Sequence, residues 1–126
     1  MKQIMEINVT IFQPRTVEGS TGKAVMIPFS AENHGELFCG CTREEGVDTQ
    51  RILPDGSMTL SARYILYGRD ADGRECSLFI ENNGTSLENC TPKVITDSPA
   101  LGFLETTPLS AKVEPCENGV VVRIFA

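Results

Sequence analysis

Apolar and polar positions alternate along most of this chain. Ile7, Val9 and Ile11 interleave with Asn8 and Thr10, the period-two pattern of a strand with one buried face. Ala24 to Phe29 is a short apolar run containing Pro28, and that proline predicts an edge or bulged strand. Glu36 to Thr42 places Leu37, Cys39 and Cys41 on one side of a third strand. Gly46 to Leu53 follows and closes at the turn Pro54-Asp55-Gly56. Ser57 to Gly68 is the longest predicted strand. The turn Asp70-Ala71-Asp72-Gly73 joins it to a return strand over Cys76 to Asn83. Lys93 to Thr96 and Leu109 to Val113 are shorter. Asn118-Gly119 is the strongest turn signal, and Val120 to Phe125 reads as a closing strand.

No long window carries a 3.6-residue period. Ser98 to Glu105 is the best helical candidate, with Ser98 as cap and Pro99 in the first turn, and Gly102 limits it to one turn at most. About nine or ten closely spaced strands with so little helix predict an all-β barrel or sandwich. The 126 residues make one domain.

Composition narrows the class. Hydrophobic residues are 40% and charged residues 22%, which excludes a disordered or fibrous chain. No apolar stretch approaches the ~20 residues of a spanning helix, so no membrane partner is expected. Seventeen acidic against eleven basic residues give a net charge of -6. No Lys/Arg cluster offsets it, which argues against nucleic acid. The start, MKQIMEINVTIF, lacks a secretory h-region and cleavage site, so a cytoplasmic location is expected.

The hairpin around Asp72-Gly73 carries the functional expectation. A two-residue turn there sets Arg63 opposite Asn82 and Tyr64 opposite Glu81, and a four-residue loop keeps the same faces. One face then holds Arg63, Ile65, Tyr67, Leu78, Ile80 and Asn82. The other holds Met58, Leu60, Ala62, Tyr64, Leu66, Phe79, Glu81 and Asn83. Both faces are largely apolar, so one fills the interior. A second copy of the chain, as a dimer, or the Gly84 to Lys93 loop covers the other. A guanidinium on a greasy face needs a partner. Asp48 and Gln50, on one side of their strand, are candidates. An Asp48, Gln50, Arg63, Tyr67 and Asn82 group at the mouth of an apolar barrel has the layout of a small-molecule site. The alternative is a structural Arg63–Asp48 pair that plugs the barrel.

Other chemistry is sparser. The five cysteines are Cys39, Cys41, Cys76, Cys90 and Cys116. An odd count without a signal argues against a disulfide framework. Cys39-Gly40-Cys41 raises a metal question, but His34 is the only histidine and no second cysteine pair exists. Buried reduced thiols are therefore expected, with no metal and no cofactor. Whether Cys39 and Cys41 have a redox role is open. His34 sits in a polar stretch. Cys39 as a nucleophile is disfavoured by a strand interior. Asp48 and Glu81 are the candidate carboxylates for acid–base work.

The blocks Gly-Glu-Leu-Phe-Cys-Gly (35–40), Gly-Val-Asp-Thr-Gln (46–50), Pro-Asp-Gly (54–56), Ala-Arg-Tyr (62–64), Asp-Gly (72–73), Ile-Glu-Asn-Asn-Gly (80–84) and Thr-Pro (91–92) occur in this order. They resemble the uncharacterised microbial family known as domain of unknown function 3237, from about residue 25 to the C-terminus. The resemblance implies a small antiparallel β-barrel of calycin or lipocalin type and no established activity. In that family the residue between Asp48 and Gln50 is often tryptophan. Here it is Thr49, and the chain has no tryptophan.

Three functions compete. The first is binding of a small organic metabolite, an anionic one included, in the barrel interior. The second is a cofactor-independent lyase, cyclase or isomerase, with Arg63 on an oxyanion and Asp48 or Glu81 moving a proton. The third is a structural or interaction module with no ligand.

Overall fold

Residues Met1–Ala126 form ten strands and one short 3-10 helix in a computed structural model that describes the whole chain. The strands are β1 (Gln3–Ile11), β2 (Arg15–Gly19), β3 (Gly22–His34), β4 (Phe38–Cys41), β5 (Gly46–Ile52), β6 (Met58–Asp70), β7 (Glu75–Ser86), β8 (Asn89–Thr96), β9 (Ser110–Cys116) and β10 (Gly119–Phe125). The helix spans Pro99–Glu105, between β8 and β9. Every strand pairing is antiparallel.

The sheet closes on itself because β1 pairs with both β10 and β3. Around the ring β3 and β6 are bridged end to end by β4 and β5, while β1 and β2 share the other side of β3. The result is a closed, eight-position antiparallel barrel, the barrel alternative of the sequence reading.

Pro28 does not make β3 an edge or bulged strand. The Pro28 carbonyl accepts from the Phe12 N–H at 2.9 Å, on the side where β2 gives way to β1. The missing N–H faces the same side, so the Phe12–Pro28 pair keeps one of its two bonds and the β1 ladder ends at Ile11. The strand β2 was not anticipated. Its five residues, RTVEG, are all exposed and carry no apolar alternation.

The core is the inward half of the strands. Ile7, Phe38, Leu66, Leu78 and Ile80 are fully buried, and each such side chain contributes about 1.5–3 kcal/mol by leaving water. The helix closes one end with Leu101 and Leu104. The Ser98 hydroxyl accepts from the Leu101 N–H and donates to Asp70 Oδ2 at 2.7 Å, tying the helix cap to the β6–β7 turn. The cap and Pro99 let the expected single turn run to seven residues.

The β6–β7 turn corrects the central expectation. Asp70 and Arg74 close the hairpin, with the Asp70 N–H 3.1 Å from the Arg74 carbonyl. Three residues lie between them, Ala71, Asp72 and Gly73, and Gly73 takes φ +77°. This is the three-residue loop whose last position needs left-handed backbone. An odd loop shifts the register by one. Arg63 therefore faces Glu81, Tyr64 faces Ile80 and Ala62 faces Asn82. Leu60, Ala62, Tyr64 and Leu66 now share the interior with Leu78, Ile80 and Asn82. Arg63, Ile65 and Tyr67 share the outside with Phe79 and Glu81. The outer face is mixed, with one apolar row, Ile65–Phe79–Ile95, running across β6, β7 and β8. The two apolar faces that suggested a dimer are thus replaced by one apolar interior and a largely polar exterior.

Candidate functional site

β5 is the strand that puts polar groups inside. It runs between β3 and β6, with Asp48 opposite Ile27 and Ala62, and Gln50 opposite Val25 and Leu60. Strand alternation aims Asp48 and Gln50 inward and Val47, Thr49 and Arg51 outward. The inward pair meets Asn82 from β7 and Tyr64 from β6 in one cavity of about 200 Å³. It lies at the barrel end away from the helix, walled by Val9, Phe29, Leu60, Val113 and Val122, with Leu87 of the β7–β8 turn at its rim. The seam between β8 and β9 opens here. Its ladder is a single pair, Cys90 with Ala111, supplemented by the Val113 N–H on the Leu87 carbonyl at 2.8 Å.

The polar atoms in this cavity are poorly matched to the protein. Gln50 Nε2 donates to Asp48 Oδ2 at 2.9 Å. Asp48 Oδ1, the Tyr64 hydroxyl and Asn82 Oδ1 are buried with no hydrogen-bond partner in the protein. An unmatched buried polar group costs about 1–3 kcal/mol, so three facing one chamber call for a partner from outside the chain, water or guest. Burial pushes the Asp48 carboxyl above its usual range, and the Gln50 amide pulls it partly back. Burial likewise pushes the Tyr64 phenol well up. Tyr64 is held edge-on to Phe29, with ring centroids 5.2 Å apart.

The other predicted site residues are elsewhere. Arg63 stands on the outer surface, its Nε 2.8 Å from Glu81 Oε2, with its side chain 64% exposed. No Arg63–Asp48 pair forms, so neither an internal clamp for an anion nor an ionic plug exists. Glu81 is also outside and donates nothing to the cavity. Tyr67 is on the outer face too. Its hydroxyl donates to Glu44 Oε1 at 2.6 Å, and the Arg43 guanidinium lies 4.4 Å over its ring. Of the predicted group, Asp48, Gln50 and Asn82 come together. Tyr64 is the residue that sequence reading placed on the right strand but left out of the site. Its signal was present, since it shares strand parity with Ala62 and Leu60.

The cysteine expectation also needs correction. Cys39 and Cys41 are exposed, not buried. Phe38 is the inward anchor of β4, at 0% exposure, so the flanking odd positions face solvent. Cys76 and Cys90 are the buried thiols, and burial raises both.

Comparisons place the chain among uncharacterised proteins. No family model matches it. A UPF0311 protein of Clostridium acetobutylicum is 34% identical over 86 residues, which is 66% of this chain and 52% of that protein. The match therefore spans about half the length of this curated relative. A crystal structure of a protein of unknown function from the same species superposes with a TM-score of 0.83 at 25% identity, covering 98% of this chain and 95% of that one. A structure described as an enzyme from Penicillium herquei superposes with a TM-score of 0.74 at 15% identity, covering 98% and 92%. The barrel is a fold shared by these proteins.

Proposed function

We propose that the barrel binds a small, largely apolar organic molecule that is uncharged and carries a hydrogen-bond donor. The observation that carries this reading is the convergence of Asp48 Oδ1, the Tyr64 hydroxyl and Asn82 Oδ1, all without protein partners, on one apolar cavity. Two of the three atoms are obligate acceptors when Asp48 is ionised, and the phenol both donates and accepts. A guest with a hydroxyl or amino group satisfies them. A guest carboxylate instead meets Asp48 with no cation inside, so the anionic metabolite expected from Arg63 is set aside. Size points the same way, since a cavity of about 150 Å³ accommodates benzene. The chamber fits one ring with a short substituent.

Thermal-shift measurements on a library of ring-sized alcohols, anilines and carboxylic acids test this reading, with Ala62→Phe as the variant that fills the chamber. Hits are expected among the alcohols and anilines, and Ala62→Phe abolishes their shifts. Hits confined to the acids, or unaffected by Ala62→Phe, contradict it.

A second reading is proton transfer on such a guest. Its support is Asp48 itself, a carboxyl whose burial raises it in an apolar chamber, as an acid–base group requires. One fold neighbour is described as an enzyme, a likeness that bears on the fold only. Turnover lost in Asp48→Asn while binding persists separates this reading from binding alone.

A further inference from the structure

The outer face of the β3–β4 hairpin holds a second group of reactive side chains, on the opposite side of the wall from the cavity residues. In the ladder His34 stands directly opposite Cys39, and Glu32 opposite Cys41. Cys39 Sγ lies 3.6 Å from His34 Nδ1. His34 Nε2 lies 3.3 Å from Glu32 Oε2. Thiol, imidazole and carboxylate therefore form a continuous chain, the nucleophile–base–orienter arrangement of covalent catalysis.

The neighbouring strand adds a distinction between the two thiols. On β6, Arg69 is the register partner of Cys39, and Tyr67 is the partner of Cys41. One row across the sheet reads His34, Cys39, Arg69, Glu75. The next reads Glu32, Cys41, Tyr67, Ser77. Arg69 shares its charge with Glu75 Oε1 at 3.3 Å and donates to the Gly73 carbonyl at 2.9 Å. Arg43 and Glu44 both engage Tyr67, beside the second row. Cys39 is thus flanked by a base and a cation, whereas Cys41 is flanked by a carboxylate and a phenol. The third exposed thiol, Cys116, ends β9, and no hydrogen bond or ion pair engages it.

We propose that Cys39, with His34 as its base and Glu32 orienting the imidazole, is a nucleophilic thiol that exchanges with low-molecular-weight disulfides. His34 Nδ1 takes the Cys39 proton. The thiolate attacks one sulfur of the disulfide, and the new sulfur–sulfur bond forms as the old one breaks. The departing thiolate recovers the proton from the imidazolium. The Cys39 sulfur is oxidised and the leaving sulfur is reduced in equal measure. Nothing in this step uses the barrel cavity, so the two readings stand or fall separately.

The test is mixed-disulfide formation with 2-hydroxyethyl disulfide at pH 7, read per cysteine by peptide mass spectrometry. Cys39 is expected to react about tenfold faster than Cys41 and Cys116, the advantage of a thiol paired with a base. His34→Gln brings Cys39 to within about twofold of the other two. Glu32→Gln leaves the imidazole and an acceptor in place but removes the carboxylate charge beside Nε2, and it slows Cys39 by a smaller factor. Cys41→Ser leaves the Cys39 rate unchanged. Similar rates for the three exposed thiols in the parent protein overturn the proposal. So does a Cys39 rate that neither His34→Gln nor Glu32→Gln alters.

Discussion

Arg63 and Glu81 are direct cross-strand partners on the outer wall of the barrel, with Nε 2.8 Å from Oε2. That pairing follows from the three-residue Ala71-Asp72-Gly73 loop, and it removes the only cation that sequence reasoning had assigned to the interior. The pair is exposed on the arginine side, and ion pairs of that kind contribute little. Arg63→Ala is expected to change the unfolding free energy by less than about 1 kcal/mol in urea titration. It is also expected to leave ligand-induced thermal shifts unaltered.

Tyr64→Phe removes a buried hydroxyl that no protein group satisfies. Deleting an unmatched polar atom while keeping the ring that packs on Phe29 is expected to be neutral or stabilising by up to about 1 kcal/mol. Guest affinity falls in the same variant. Chemical denaturation and binding measured on one preparation check both parts, and a clear loss of stability contradicts the assignment of an unpartnered hydroxyl.

Asp48 gives a pH signature of unusual sign. Its carboxyl is raised in the folded protein, so between its unfolded and folded pKa values the folded state holds more proton. Stability contributed by this group therefore falls as pH rises through that window, and the penalty is constant above it. Asp48→Asn removes the penalty. The variant is expected to gain stability relative to the parent at neutral pH, with the gain shrinking on acidification toward the ordinary carboxylate range. Urea midpoints of both proteins across pH 3 to 8 provide the difference curve, about six points being enough to fix its slope.

Asp70 runs the other way. The Ser98 hydroxyl holds its carboxyl low, helped by the Arg74 and Asp72 N–H groups at 3.1 and 3.0 Å. A depressed carboxyl contributes stability above its unfolded pKa and loses it as pH falls through the folded value. Asp70→Asn is expected to lower the urea midpoint at pH 7 and to flatten the acid limb of the stability curve. Asp55→Asn serves as comparator, because Asp55 is also held low, by Ser57, but on an exposed turn remote from the helix cap. An equal effect of the two substitutions contradicts the role of Asp70 as the tie between turn and helix.

How much of this was legible in the sequence depends on parity. Strands with clean alternation, such as Ile7-Asn8-Val9, announced both their existence and their buried face. Asp48 and Gln50 were placed on one side of β5 correctly, since that inference used only residues within one strand. Relations between strands were not legible to the same degree. The string Asp70-Ala71-Asp72-Gly73 admits two-, three- and four-residue loops, and the odd case exchanges the faces of β7 relative to β6. That single step carried Asn82 to the Asp48 side and Arg63 away from it. The Cys39–His34 contact was hidden for a related reason. It depends on β3 running on through Pro28 to His34 and on the tight Gly35–Phe38 reversal, in which the Gly35 N–H donates to the Phe38 carbonyl at 3.0 Å. Local composition had marked that stretch only as polar.

The proposed site is an apolar-walled chamber whose unmatched acceptors select a neutral donor. Titration of the parent protein with benzyl alcohol, toluene and benzoate, followed by amide chemical shifts, tests it most directly, because the three probes share a ring and differ in the group offered to Asp48 and Asn82. Saturable shifts at Ala62, Tyr64 and Asn82 are expected with benzyl alcohol, with weaker binding of toluene and none of benzoate. Preferential binding of benzoate, or shifts centred on Arg63 and the outer face, would contradict it.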